Sequence, residues 1–287
     1  MKISPKFTHN VAWGVCWAAG LLSLAFLFII IGYVFVNGIG SITWEFLTTN
    51  PKGGLKGEGG ILSALVGTLY LIGITLLIAV PLGVGAAIYM AEYARNNWFT
   101  KLVRFGVESL AGIPSIVFGL FGFALFVTAL GFNFSIMSGA LTLACLCLPV
   151  IIRTCEEAMK AVPRTYREAS YGLGATKWQT ITHVILPAAI PGIITSIILT
   201  VGRVVEETAC LYVTMGGSSN MPTSIWSSAR TLSLHLYYLA METTAINKAL
   251  ATGVILIIII IIINFATRWL SDRYIAMSGG GRMSNGN

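Results

Sequence analysis

Arg203, Glu206 and Glu207 sit within an apolar run from about Ala188 to Met215. An ionised side chain near the middle of a membrane helix costs about 2.5 to 3.5 kcal/mol on insertion scales, so it usually faces a bundle interior and often marks a solute path. Arg203 lies roughly 22 Å beyond Ala188 along a straight helix, in its middle to outer half. Its guanidinium offers forked N–H donors that suit an oxyanion. Glu207 falls one turn later on the same face, where it can pair with Arg203 and compete for those donors. Binding of moderate strength follows, as release requires. The same pair could instead serve helix packing alone. Glu206 points about 100° away from Glu207, towards the outer interface or the path. In another apolar run, Pro114 and Ser115 either break a helix and expose backbone N–H groups to an anion, or make a packing kink. Glu108, one turn after Arg104, reads as a paired interfacial acid.

Nothing else in the chain has the spacing of covalent chemistry. Phosphate-cradling G-x-x-x-x-G-K, zinc-binding H-E-x-x-H and nucleophilic G-x-S-x-G patterns are absent. His9, His183 and His235 are scattered, and Cys16, Cys145, Cys147, Cys155 and Cys210 lie in or beside apolar runs, as small packing residues do. The expectation is a non-enzyme that binds no cofactor or metal. If it drives transport, the energy comes from another chain.

The elements that must position these residues are membrane helices. The chain has 287 residues, 56% hydrophobic and only 10% charged, with a mean hydropathy of +0.82. Soluble domains carry roughly a quarter charged residues. Six apolar runs are long enough to cross a hydrocarbon core about 30 Å thick. They cover about Val11–Val36, Ile61–Met90, Phe105–Leu130, Ile136–Ile152, Ala188–Met215 and Ile246–Thr267. The first is too long for a signal-peptide core and reads as a retained span. Between spans one and two lies a glycine-rich outer loop, with a short interfacial helix near Thr43–Leu47 anchored by Trp44. The net charge of +7 reflects distribution rather than a nucleic-acid partner. Only Lys52, Lys56, Arg230 and Lys248 fall in outer segments, which puts both termini in the cytoplasm.

The long polar interruption from Arg153 to Pro187 is therefore cytoplasmic. Pro163 suits the first position of a helix running to about Tyr171, which Gly172 and Gly174 end. Thr176 and Gln179 form a capping box that starts a second helix, with Trp178, Ile181, Val184 and Ile185 on one side. Leu186-Pro187 closes the segment and turns the chain into the membrane. Periodicity alone fits a solvated loop with a surface-lying helix as well as a docking element.

The spacing Glu168-Ala169-Ser170, three residues, Gly174, nine residues, Val184, one residue, Leu186-Pro187 resembles the EAA loop of ABC-importer permeases, E-A-A-x3-G-x9-I-x-L-P. Ser170 for Ala and Val184 for Ile are its departures. The resemblance extends over most of the chain and is nearest to phosphate-uptake permeases of the PstA type. It is carried by Gly59-Gly60-Ile61, Ala91-Glu92-Tyr93-Ala94, the stretch Leu110 to Gly119, Thr154 to Ala158, and Gly202-Arg203 with Glu207-Thr208-Ala209. Where that family reads G-R-A-L-G-E-T-A-P, Glu206 replaces a glycine and Cys210 a proline.

The resemblance implies an all-α, six-helix permease of the type I ABC-importer fold. It would form one domain over residues 1–287, with a coupling loop at 153–187 and a cytoplasmic tail at 268–287. It implies ATPase coupling through Glu168, Ala169, Ser170, Gly174, Ala175, Trp178, Leu186 and Pro187, and a solute path at Arg203, Glu207, Glu206, Pro114 and Ser115. The implied partners in the cytoplasmic membrane are a PstC-type permease, two ATPase copies that use ATP and Mg, an extracytoplasmic phosphate-binding protein and lipid. Phosphate would cross by alternating access. Alternatives are the same architecture carrying another oxyanion or phosphonate, or a channel or secondary transporter.

Overall fold

A computed structural model of the chain describes residues 5–95 and 97–277. Helix α1 (Pro5–Gly38) is followed by a 3-10 turn and a short helix α2 (Trp44–Thr48). A two-stranded antiparallel hairpin, β1 (Pro51–Gly53) and β2 (Glu58–Gly59), leads to α3 (Leu62–Ile88). Then come α4 (Trp98–Ala111), α5 (Ser115–Gly122), α6 (Ile136–Ala161), α7 (Arg164–Gly172), α8 (Lys177–Thr180), α9 (Leu186–Glu206), α10 (Ala209–Thr214), α11 (Leu232–Glu242) and α12 (Ile246–Met277). Five of the described helical segments are long and apolar enough to cross a membrane, and the bent pair α4 and α5 supplies a sixth crossing if counted as one span.

The centre is α6, packed on α3 and on α9. Leu71, Ala79, Leu143, Cys147, Ile151 and Val204 are buried there. Lipid tails are as apolar as leucine, so membrane helices associate through close packing at small residues. Gly83 receives Ile151, Gly122 lies against Thr142, Gly192 against Ala158, and Gly119 against Cys210 and Val213 of α10. A Cβ at any of these positions would overlap its neighbour. Helix α1 meets α12 and the adjoining 3-10 turn near its C-terminal end, where Gly38 abuts the backbone of Leu250 and Ala251. Most of its apolar surface faces outward.

The expected outer helix is α2, capped by the Thr43 hydroxyl, which accepts from Phe46 N, and carrying an exposed Trp44. Other features refine the sequence reading or depart from it. The third span is bent by 103° between α4 and α5, with Pro114 at the N-cap of α5. Proline lacks the N–H that would continue the α4 ladder and restricts the residue before it, so the direction changes there. The fifth span is interrupted at Glu207 and Thr208, between α9 and α10. The outer segment after it contains α11, for which Thr231 caps the N-terminus by accepting from Leu234 N.

Among the described residues three π-helical turns also occur: Tyr89–Tyr93 at the end of α3, Phe123–Ala129 after α5, and Ile181–Ile185 between α8 and α9. The last makes α8 and α9 continuous. Leu186-Pro187 therefore does not turn the chain; Pro187 lies inside the continuous helix Lys177–Glu206, just after the π-helical turn, where the regular i→i−4 ladder is already interrupted. Helix α12 continues through Met277, past the expected end at Thr267, and residues 278–287 of the expected tail lie outside the described residues.

Candidate functional site

At the interrupted fifth span, α9 ends at Glu206, and Glu207 has extended backbone angles (φ −70°, ψ 130°). The helical face that would join Arg203 to Glu207 therefore does not exist. Glu207 is buried, 5% exposed, and its Oε1 accepts from Cys210 N at 3.1 Å, satisfying an orphan donor at the start of α10. Its carbonyl accepts from Ser233 Oγ at 2.7 Å, which ties α11 to the break. The expected Arg203–Glu207 pair is thus replaced by Arg203 Nη1 to Glu206 Oε1, at 3.6 Å. Both side chains of this pair are open, 45% and 61% exposed. Such a long, exposed pair contributes about 0 to 1 kcal/mol and leaves most guanidinium donors free.

Pro114 and Ser115 stand at the start of α5, and α5 packs on α10 where Gly119 meets Cys210. Ser115 lies one turn before Gly119, whereas Glu206 and Cys210 lie on opposite sides of the break. Among the described residues no hydrogen bond joins Ser115 to Arg203, Glu206 or Glu207.

The segment 153–187 forms as expected in its centre. Helix α7 starts at Arg164 with Pro163 at the N-cap, one residue earlier than the first-turn place anticipated. Gly174 takes φ +81° at the turn, whereas Gly172 stays helical. The capping box is complete: Gln179 N donates to Thr176 Oγ1, and Thr176 N donates to Gln179 Oε1 at 2.8 Å. Glu168, Ala169, Gly174 and Trp178 are exposed, as is Pro187; Ala175 and Leu186 are half-buried. Ser170 turns inward and shares a 2.8 Å hydrogen bond with the buried Thr180, joining α7 to α8. The departure from alanine at this position thus has a structural role. Ile181 and Ile185 are fully buried, Val184 is half-buried, and Trp178 is 61% exposed, so it is not part of the inner stripe.

Ion pairs that spacing did not reveal organise the end that carries segment 153–187. Arg104 pairs with Glu156 of α6 at 2.7 Å rather than with Glu108, because α4 lies across α6, and Lys160 reaches the same carboxylate. Arg167 pairs with Glu92 at 2.7 Å. Both pairs join residues far apart in sequence, which leave no periodic signal.

On the opposite end, Arg230 donates through Nε and Nη2 to the Gly217 carbonyl and stacks 4.1 Å over Tyr238. Its Nη1 lies 3.3 Å from His235 Nδ1. Arginine only donates, so that nitrogen is the acceptor of a neutral imidazole. Burial, then Arg230 and Lys248, lower the His235 pKa to about 3. Among the described residues no group of three His, Cys, Asp or Glu is placed to hold a metal ion.

Residues 79–276 match the family described as "Binding-protein-dependent transport system inner membrane component". The chain is 37% identical to the probable ABC transporter permease protein YqgI of Bacillus subtilis, over 92% of this chain and 95% of that protein. It is 34% identical to the phosphate transport system permease protein PstA 1 of Mycobacterium tuberculosis (strain CDC 1551 / Oshkosh), over 96% and 92%. Among solved structures, a bacterial alginate ABC transporter in complex with alginate pentasaccharide-bound periplasmic protein superposes with a TM-score of 0.67 at 17% identity, covering 92% of this chain and 96% of that chain. The inward-facing MetNI methionine ABC transporter superposes at 0.59 and 22%, covering 75% and 94%. The helical fold and these matches agree: the chain belongs to the binding-protein-dependent transport system inner membrane components, as an ABC-importer permease of the PstA type.

Proposed function

We propose that the chain forms, with a PstC-type permease, the path of a phosphate importer. Two cytoplasmic ATPases grip the segment 153–187 and an extracytoplasmic protein delivers phosphate. The observation that carries this reading is the open, weakly paired guanidinium of Arg203 at the end of α9, in a chain whose relatives include phosphate permeases. Arg203 faces away from its own helix core, where a second permease or a solute can meet it. Glu206 beside it keeps the site from holding an anion too tightly, and the withdrawn Glu207 holds the helix break in place. ATP and Mg are used by the partner ATPases, whose closure moves α7 and α8, and phosphate crosses unchanged as the path opens outward and then inward. Both termini lie in the cytoplasm.

The assembled complex in proteoliposomes, given ATP inside and labelled phosphate outside with its binding protein, tests this. Uptake should resist excess sulfate and phosphonate; equal transport of either would reassign the cargo. Arg203→Gln should lower uptake at least about thirtyfold, from the roughly 2 kcal/mol or more lost when a desolvated charged hydrogen bond is removed. Assembly and ATP hydrolysis should persist, and normal uptake by this variant would reject the role. Transport intact after Gly174→Asp, with no ATPase co-purifying, would favour a channel or secondary transporter.

A further inference from the structure

We infer that Arg167 is a positioning residue that carries the movement of the coupling segment directly into α3, a membrane helix to which that segment has no direct chain connection. The inference rests on the proposed gripping of segment 153–187 by an ATPase. Helices α6 and α9 are joined to the segment by the chain itself, so any movement of α7 and α8 reaches them through covalent links. Helix α3 ends instead in the π-helical turn Tyr89–Tyr93, and side chains of the coupling segment hold that turn. Arg167 Nη2 donates to Glu92 Oε1 at 2.7 Å. The same guanidinium donates through Nη1 to Val162 O at 2.6 Å and through Nη2 to Met159 O at 2.9 Å, at the C-terminal end of α6. A second cation from the segment, Lys177, lies 4.6 Å from the centre of the Tyr93 ring.

Only arginine presents enough fixed donors for this junction. Its planar fork meets a carboxylate and two carbonyls at once, and a cation at a helix C-terminus is favourable in itself. The Arg167 and Glu92 side chains are 18% and 7% exposed. Separating such a desolvated pair leaves two poorly hydrated charges, so the junction resists opening. Arg153–Glu157, by contrast, lies within one helix, is exposed on both sides and binds nothing across elements. Arg167 thus closes a loop between α7, the end of α6 and the end of α3. The inner ends of the central helices then travel with the coupling segment as one body.

The test uses the complete complex with Cys16 and Cys145 replaced by Ser, and spin labels at Tyr89→Cys on the π-helical turn and Thr165→Cys on α7. Distances are measured without nucleotide and with a non-hydrolysable ATP analogue. The wild-type junction should keep the distance within about 2 Å, the scale of shear between packed elements. A larger change on nucleotide binding would overturn the inference. Glu92→Gln removes the charge on the α3 side and leaves the contacts of Arg167 to α6. It should make the distance nucleotide-dependent and lower phosphate moved per ATP about tenfold, equivalent to roughly 1.4 kcal/mol of coupling. ATP hydrolysis should stay within about twofold, since the proposed ATPase-facing surface is untouched. An unchanged transport-to-hydrolysis ratio in Glu92→Gln would overturn the role. Arg167→Lys, which keeps the charge but loses the fork, gives a second reading: an intermediate ratio supports the role and a wild-type ratio rejects it. If the wild-type complex moves no phosphate, the cargo assignment fails while the distances, which need only nucleotide, still decide the junction.

Discussion

His235, on α11, enters the folded state uncharged, buried beside Arg230 and within the field of Lys248, and this sets a pH dependence with a definite sign. Its folded pKa, about 3, lies below the ordinary 6.5. Between those values the unfolded chain binds a proton that the folded one does not, so stability falls as pH falls, by about 1.4 kcal/mol per unit and about 2 kcal/mol by pH 5. The thermal midpoint of the purified complex should drop accordingly, and His235→Gln should remove that slope; an unchanged slope would place the effect elsewhere. The adjacent acids at the helix break should also behave oppositely. Glu207→Ala leaves the buried Cys210 N–H unpaired and should cost about 1 to 3 kcal/mol of stability. Glu206→Ala, on an exposed side chain, should change stability by no more than about 0.5 kcal/mol. The two can be compared by thermal unfolding in detergent. Sequence made Arg203, Glu206 and Glu207 conspicuous because charge in an apolar run is costly. It could not say which acid faces Arg203, because that depends on a helix break that periodicity assumes away.

At the level of elements, the proposed coupling segment was legible because its signals are local. A capping hydroxyl, the Gln179 amide and a glycine at positive φ each act within a few residues, and all three occur at Thr176, Gln179 and Gly174. Thr176→Ala should therefore cost about 1 kcal/mol and weaken ATPase retention on co-purification. The bend between α4 and α5 was signalled locally by Pro114, although the sequence left a break and a packing kink both open. The break after Glu206 and the π-helical turns were less legible, because neighbours distant in sequence help to hold them. Thr142 filling the space beside Gly122 is one such neighbour. Gly122→Ala should displace it and destabilise the helix pair by about 1 to 3 kcal/mol, read as a lower unfolding midpoint. A midpoint unchanged by the added methyl would mean that α5 and α6 can separate freely there.

Across the whole molecule, apolar surface is unevenly covered. Helix α6 is mostly enclosed, whereas Trp13, Trp17, Leu21, Phe28 and others along α1 face outward, for lipid or a second permease to cover. The charge distribution predicts orientation: in sealed right-side-out vesicles an impermeant thiol reagent should label Trp226→Cys from outside and Leu173→Cys only after permeabilisation. Leu173 is 89% exposed and Trp226 is 52% exposed, so neither site is shielded by the chain itself. The reverse labelling would invert the topology. The bent third span bears on a different question, the order in which this protein can be made. Ser115–Ala129, between the bend and the next turn, spans about 22 Å or less, short of a hydrocarbon core about 30 Å thick. Its surroundings include α6 and α10, both synthesised later. A ribosome-bound intermediate truncated before Ile136 should therefore hold this stretch loosely in the bilayer, and its firm insertion should follow synthesis of α6 and α10, which delays this span relative to its order in the chain.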